Sequence, residues 1–445
     1  MLPALTAWML ALAGCADPAQ DPDSEQRRSS GATTISTLID ADGDGELEPG
    51  PPEPLRPRRE FGFPPAPGKT LATFAQITDL HVRDEESPAR VPFLDRFGRP
   101  FTSAFRPHEA LSPHVATAAV RSLNRERPQA VVITGDLLDS AQSNELDTAR
   151  AVLDGGRVNP DSGRGGYDGV QEPSNPDPLY YRPDNDAPRH PGILDAAQRP
   201  YHSPGLTAPW FPVLGNHDLL VQGEVPPDPG LEEAARGTRA VVSLDPSAPL
   251  PTADPRAAVS ALLEGRIPAR DMRVPRDGRR RYLRPGEIVR RLARDGRAER
   301  LDYTTDIGPH VRAVMLDVVD RGGGSRGVVA PEQVSWLREQ LASAGSRWVF
   351  VFSHQPLETS AGGNAALAAL DEFPRVGAAI SGHRHRNGIR PRRTRQGGYW
   401  LIETSSLAEF PQQSRIFRLR AAGKGAVLET WMVDHDGAGL AGVAR

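Results

Sequence analysis

Trp210-Phe211-Pro212-Val213-Leu214-Gly215-Asn216-His217-Asp218 is the stretch on which the fold turns. Its first five residues are apolar and read as a strand. The run stops at a glycine followed by three polar side chains able to bind a cation or move a proton. The same pattern recurs at four other places. Thr70–Ile77 stops at Thr78-Asp79-Leu80-His81, and residues 130–134 stop at Gly135-Asp136. Trp348–Phe352 stops at Ser353-His354, and residues 376–380 stop at Ser381-Gly382-His383-Arg384-His385. Ligands in α/β folds collect beyond the carboxyl ends of strands, so five such loops can meet in one place.

The intervening sequence supports a layered α/β chain. Ser112-Pro113 opens a helix with apolar Val115, Ala118, Ala119 and Leu123, and Arg127-Pro128 closes it. Strand, helix and strand in that order make a βαβ unit. Residues 311–316 form a further apolar strand. Residues 331–341 predict a helix that starts at a proline and carries Val334, Leu337 and Leu341 on one face. Residues 399–402, 416–419 and 427–433 make the end of the chain strand-rich. Two excursions rich in turn-forming residues interrupt this order, at about 155–209 and 222–299. The second contains an arginine-rich helical portion around residues 286–297.

Residues 1–14 are mostly apolar but too short to span a bilayer, and read as a signal peptide. They end in Leu12-Ala13-Gly14-Cys15, which resembles the bacterial lipobox, although no Lys or Arg precedes the apolar run. Cys15 is the only cysteine, so no intramolecular disulfide can form. The expectation is an exported cell-envelope lipoprotein, on the outer membrane or periplasmic face, anchored through lipidated Cys15. Residues 15–69 are polar and rich in Pro, Asp and Ser, and read as a flexible spacer. Within them, Asp40, Asp42 and Asp44 with Gly45 alternate as in a calcium loop, but Pro51 stands where the loop needs its last acid. We read this stretch as a solvated acidic linker. The formal net charge of −4, with 25% charged residues, gives no sign of a general nucleic-acid binder beyond a possible nucleotide substrate.

Taken together, Asp79-Leu80-His81, Gly135-Asp136, Gly215-Asn216-His217-Asp218, His354 and Gly382-His383-Arg384-His385 resemble the calcineurin-like metallophosphoesterase family, with all five motifs in order. The resemblance covers roughly residues 70–433. It implies a four-layer αββα sandwich: two mixed β-sheets flanked by helices, with a dinuclear metal site at the carboxyl ends of strands. Residues 70–445 would be the catalytic domain. It also implies two divalent ions, manganese, zinc or iron, about 3.5–4 Å apart and able to clamp both oxygens of a phosphoryl transfer. Asp136 would bridge them. Asp79, His81 and His385 would complete one ion, and Asn216, His354 and His383 the other.

By the same resemblance His217 is the catalytic histidine beside the phosphate, and a metal-bound hydroxide is the nucleophile. Asp218 is expected to hold the other ring nitrogen of His217. The partner implied is a phosphate mono- or diester. Purple acid phosphatases carry a metal-binding tyrosine three residues after the bridging aspartate. Asp139 stands there, so an iron–tyrosinate site is not expected, and Asp139 is read as bracing its loop. Arg83, Arg384 and Arg386 lie beside ligands, as phosphate contacts or as counter-charges. Ser87-Pro88-Ala89-Arg90 and residues 403–406 and 411–415 look like a bacterial branch. The rival reading is a lipid-anchored metal-binding scaffold on the same fold; the intact His217-Asp218 pair favours an enzyme.

Overall fold

Alternation along the strand Trp348–Phe352 sets the layers, since Phe350 and Phe352 face one core while Val349 and Val351 face another. A strand buried on both faces belongs in the middle of a sheet covered on each side. The computed structural model, which describes residues 31–63, 66–97, 105–244, 254–293 and 300–445, builds this arrangement. The expected anchor sequence, residues 1–14 with Cys15, lies outside the described residues.

Eleven strands form the two central sheets. They are β1 (Thr70–Ile77), β2 (Val131–Thr134), β3 (Trp210–Val213), β4 (Tyr303–Ile307), β5 (Val311–Met315), β6 (Trp348–Phe352), β7 (Val376–Ser381), β8 (Gly388–Thr394), β9 (Gly397–Glu403), β10 (Gln413–Ala422) and β11 (Gly425–Asp434). The first sheet runs β11-β10-β1-β2-β3, parallel from β1 to β3 and antiparallel on the β10 side. The second runs β4-β5-β6-β7-β9-β8, parallel from β5 through β9 with an antiparallel strand at each edge.

Between the sheets Phe74 packs against Phe350, Phe352 and Phe417, with ring centroids 5.0 to 6.1 Å apart. Fully burying side chains of this size stabilises the fold by about 1.5–3 kcal/mol each. Helices α1 (Ser112–Glu126) and α2 (Ser143–Asp154) cover the outer face of the first sheet through Val115, Leu123 and Leu146. Helices α3 (Pro331–Ala342) and α4 (Gly363–Asp371) cover the second through Leu337, Leu341 and Leu367. The fold is therefore a mixed α/β sandwich with helices on both outer faces. Among the described residues no helix is long and apolar enough to cross a membrane.

The two excursions are packed onto this frame. Arg280, fully buried, pairs with Asp84 at 3.0 Å and donates to Ser162 Oγ at 2.7 Å. Asp84 belongs to the loop after His81, so one polar node pins both excursions beside the strand ends. The arginine-rich portion contains the helix Pro285–Leu292, shorter than the stretch expected at 286–297, whose last residues are outside the described set. Residues 31–63 depart from the expected flexible spacer. Thr37–Ile39 pairs with Glu48–Gly50, and Thr33 N–H donates to Met432 O at 2.9 Å. Thr33 is also buried, so this segment is docked onto β11.

Candidate metal centre

Parallel strands β1, β2 and β3 and parallel strands β6 and β7 all point their carboxyl ends the same way. Their exit loops converge across the edge of the sandwich. Asp79, His81, Asp136, Asn216 and His354 are all buried, with His383 and His385 at the rim. Main-chain bonds hold the loops together: Asp79 N–H donates to Gly135 O and His81 N–H to Asp136 O, both at 3.0 Å.

The backbone itself marks the site. Asp79, His81, Asp136, His383 and His385 all have positive φ, between 43° and 69°. Non-glycine residues rarely adopt this region, and such conformations cluster where function fixes a side chain's direction. The adjoining glycines are required by close approach. A Cβ on Gly215 would lie 2.1 Å from Asp136 Oδ1, and one on Gly382 1.9 Å from Thr78 Oγ1.

Three groups meet here: one of Asp79, His81 and His385, one of Asp136, His354 and His383, and one of Asp139 and His217 that shares His81 with the first. In the first, His385 Nε2 lies 3.2 Å from Asp79 Oδ1. In the second, His354 Nε2 lies 3.0 Å from Asp136 Oδ2 and 3.2 Å from both Asn216 Oδ1 and His383 Nδ1. Asp136 Oδ2 also faces His81 Nε2 at 3.8 Å, which joins the clusters. Donors about 2.0–2.1 Å from one cation sit at separations of about 3 Å, so these spacings suit ligands sharing an ion.

Neighbours fix three of the imidazoles in one orientation. The Thr134 carbonyl accepts from His354 Nδ1 at 2.8 Å. Asp139 Oδ1 faces His81 Nδ1 at 3.3 Å, and Glu409 Oε2 faces His385 Nδ1 at 3.0 Å. Each contact turns Nε2 into the centre, the usual arrangement behind a metal-binding histidine. His81 Nε2 and Asp79 Oδ1 are buried without a hydrogen-bond partner. Orphaned atoms of this kind, on mixed nitrogen and oxygen donors, fit divalent transition metals.

Charge in the cluster points the same way. Burial pushes the Asp79 carboxyl up, but His385 and His354 outweigh it and hold the group at about 2. Burial likewise pulls His354 down, yet Asp136 and Asp79 lift it to about 9. The two carboxylates thus favour positive charge where a cation would sit. His81 and His383 move the other way, to about 4 and about 3, through burial and then a neighbouring imidazole, His217 and His354 respectively. They stay neutral and free to donate a lone pair.

His217 lies alongside the clusters. Its backbone N–H donates to Asp136 Oδ1 at 2.9 Å, and its ring stands edge-on to His81 with centroids 4.5 Å apart. Its Nδ1 faces the Asp139 carbonyl at 2.7 Å and the Asp139 carboxylate at 3.9 Å. This corrects the expectation that Asp218 holds the ring. Asp218 sits in the helical turn Asn216–Leu219, where its carboxylate folds back to accept from Gly215 N–H at 2.8 Å and Leu138 N–H at 2.9 Å. It shapes the loop, and Asp139 is the residue behind His217. Burial would raise Asp139, but Arg83, His81 and Arg90 hold its carboxyl well below the usual range.

Arg83 donates to Asp139 at 3.0 Å and also pairs with Glu109, buried beneath the site. Arg384 and Arg386 both pair with Glu403. All three arginines therefore have carboxylate partners. Three residues that the sequence did not single out also support the site. They are Glu409, Gln355, whose Nε2 donates to Asn216 Oδ1 at 3.1 Å, and Gly223, whose carbonyl accepts from Asn216 Nδ2 at 3.0 Å. Asp40, Asp42 and Asp44 do gather, but fully on the surface and with backbone N–H groups bonded to all three carboxylates.

A family model described as calcineurin-like phosphoesterase matches residues 72–387. Among solved structures, a dimetal phosphatase from Danio rerio is similar at 16% identity, over 82% of this chain and 100% of that one, with a TM-score of 0.41. The sulfate thiohydrolase SoxB of Thermus thermophilus is similar at 14% identity, over 83% of this chain and 57% of its own, with a TM-score of 0.33. A purple acid phosphatase from yellow lupin seeds also reaches 14% identity, over 83% of this chain and 55% of its own, with a TM-score of 0.33. No curated protein matches the chain.

Proposed function

The chain belongs to the calcineurin-like phosphoesterase family, and from that premise we propose that it hydrolyses phosphate mono- or diesters with two divalent cations and His217. Asp79, His81, Asp136 and His385 would hold one cation, and Asp136, Asn216, His354 and His383 the other. When bound, such a pair lowers the pKa of a water and screens the charge of the phosphate. The observation that carries the reading is the convergence of two carboxylates and four imidazoles, three with Nε2 turned inward, around orphaned His81 Nε2.

The chain's own residues divide the remaining work. A carbonyl only accepts, so the Asp139 carbonyl fixes a proton on Nδ1 of His217. Nε2 is then the nitrogen left for the substrate. It can donate to a leaving oxygen only when the ring is doubly protonated. Gly223 keeps space open beside it, since a Cβ there would lie 2.4 Å from His217 Nε2. Asp136 fixes the backbone of His217 as well as facing both clusters, so it couples cation position to the position of the acid.

The lipobox-like sequence supports a further part of the proposal, that Cys15 carries lipid and places the enzyme at a bacterial cell-envelope membrane. The decisive experiment for activity is a panel of phosphomonoesters and phosphodiesters assayed with metal-free protein plus manganese, zinc, iron or magnesium. Turnover restored by at least one of these metals is the expected result. No turnover with any ester and any metal would put the scaffold reading first.

A further inference from the structure

At one side of the sandwich, the edges β11 and β8 leave a gap between the two sheets. Residues 53–63 bridge it. Glu53 N–H donates to Thr33 O at 2.8 Å on the first-sheet side. On the second-sheet side Arg58 donates to Ile389 O at 3.3 Å, and Phe61 stands edge-on to Trp400 with centroids 4.7 Å apart. Gly68 N–H then returns the chain to Ala421 O at 2.6 Å. Beneath this strap is a cavity of about 920 Å³. Its size falls within the roughly 300–1,000 Å³ typical of small-molecule sites.

Much of the lining is apolar: Leu55 and Phe61 from the strap, Ile389 and Trp400 from the second sheet, Leu428 and Met432 from the first, with Glu53, Arg56, Arg58 and Glu429 among the charged residues. Of the charged lining residues only Arg415 is buried. Arg415 projects from β10 and is only 4% exposed. Its guanidinium donates to Thr404 Oγ1 at 2.9 Å, Asn387 Oδ1 at 3.0 Å, Glu403 O at 3.3 Å and Thr430 Oγ1 at 3.5 Å. Every one of these acceptors is neutral. Among the described residues no carboxylate forms an ion pair with Arg415, and the Glu403 carboxylate is taken by Arg384, Arg386 and Arg390.

A buried cation without an anion is costly, and neutral acceptors relieve only part of that. The other charges at the cavity do not balance it. Glu429 pairs with Arg418 and Arg420, and Glu53 is exposed. A largely apolar lining with one uncompensated buried guanidinium matches a long apolar body that ends in a single negative charge. We propose that this cavity binds an amphiphilic carboxylate of the fatty-acid type, its chain between Trp400 and Leu428 and its head at Arg415. None of the proposed metal ligands lines it, so the inference stands apart from the phosphoesterase reading.

Trp400 and Trp431 line the cavity, which supplies a built-in reporter. The full chain would be titrated, below the micelle concentration, with terminally brominated dodecanoate and separately with the matching brominated dodecanol. Bromine quenches tryptophan on contact. Saturable quenching by the acid, about tenfold or more tighter than by the alcohol, is expected from one charge-assisted contact. Arg415→Met should erase that preference while leaving alcohol binding intact. Ala426→Phe, which fills the cavity from β11, should abolish quenching by both, with thermal melting confirming that each variant is folded. If Arg415→Met does not fold, the wild-type preference and Ala426→Phe together decide the matter. Equal binding of acid and alcohol by wild type, no saturable quenching by either, or an acid preference that survives Arg415→Met would overturn the proposal.

Discussion

Glu409 offers the sharpest test of how the metal centre is divided. Its Oε2 sits 3.0 Å from His385 Nδ1, and the opposite nitrogen of that ring lies 3.2 Å from Asp79 Oδ1. Burial pulls the His385 imidazole's pKa down, yet Asp79 and Glu409 lift it to about 10. Glu409 therefore orients the ring and makes it a better donor. Glu409→Gln keeps the size and an oxygen but removes the charge. Loss of such a partner behind a metal-binding histidine typically weakens affinity about 10–100-fold. His385 belongs to the cluster with Asp79 and His81, so only one of the two cations should feel the change. Equilibrium dialysis against graded chelator, with metal content read by mass spectrometry, should show one ion lost at lower chelator and the other at the wild-type position. Equal weakening of both ions, or of neither, would refute the division of ligands.

Other outcomes follow from the same geometry. Asp136→Asn should abolish turnover and lower the content of both metals, because Asp136 faces both clusters; a variant holding two metals and turning over normally contradicts it. His217→Ala should cut turnover about 10²–10⁴-fold with metal content unchanged. The loss should be larger for an alkyl ester than for a p-nitrophenyl ester, which leaves without a proton; equal losses would make His217 an electrostatic clamp. Chelation should lower the melting temperature, since each cation present at 100 times its Kd stabilises the folded state by about 2.7 kcal/mol. Coincident melting curves with and without metal would count against a resident pair. Cys15→Ser should release the protein from membranes, and fully soluble wild type without lipid on its N-terminal peptide would end the anchor proposal.

Strands with two-sided apolar burial were legible because their side chains alternate between two cores. Thr70–Ile77 and Trp348–Phe352 coincide with the expected runs, and α3 begins at Pro331 as its proline predicts. The edge strands were not. Gly388–Thr394 carries three arginines and a proline, with no buried residue in its span, so it shows no apolar period. It exists because it pairs with β9, a neighbour that no local pattern announces. Residues 31–63 misled for a related reason. Their composition is that of a spacer, and their order comes from main-chain bonds to β11 and from Phe61 on Trp400.

The site divides along the same physical line. Residue types that a cation needs recur in short motifs, so Asp79, His81, Asp136, Asn216, His354, His383 and His385 could be named from the sequence, and the fold brings them together. What stands behind each ring could not be named. Asp218 follows His217 directly, yet a helical turn sends its carboxylate back to Gly215, while the loop at 137–139 brings Asp139 beneath both His81 and His217. Glu409 comes from a loop whose anchor is Leu407 N–H on Asp79 O at 3.2 Å, a contact made only once the sheets are packed. The five positive-φ residues tie these observations together. Each such conformation costs about 1–2 kcal/mol in isolation. It persists here because the loops are bound to one another and to a rigid double sheet. The strand pattern supplies that frame, and the frame holds the polar groups in directions that their own sequence does not favour.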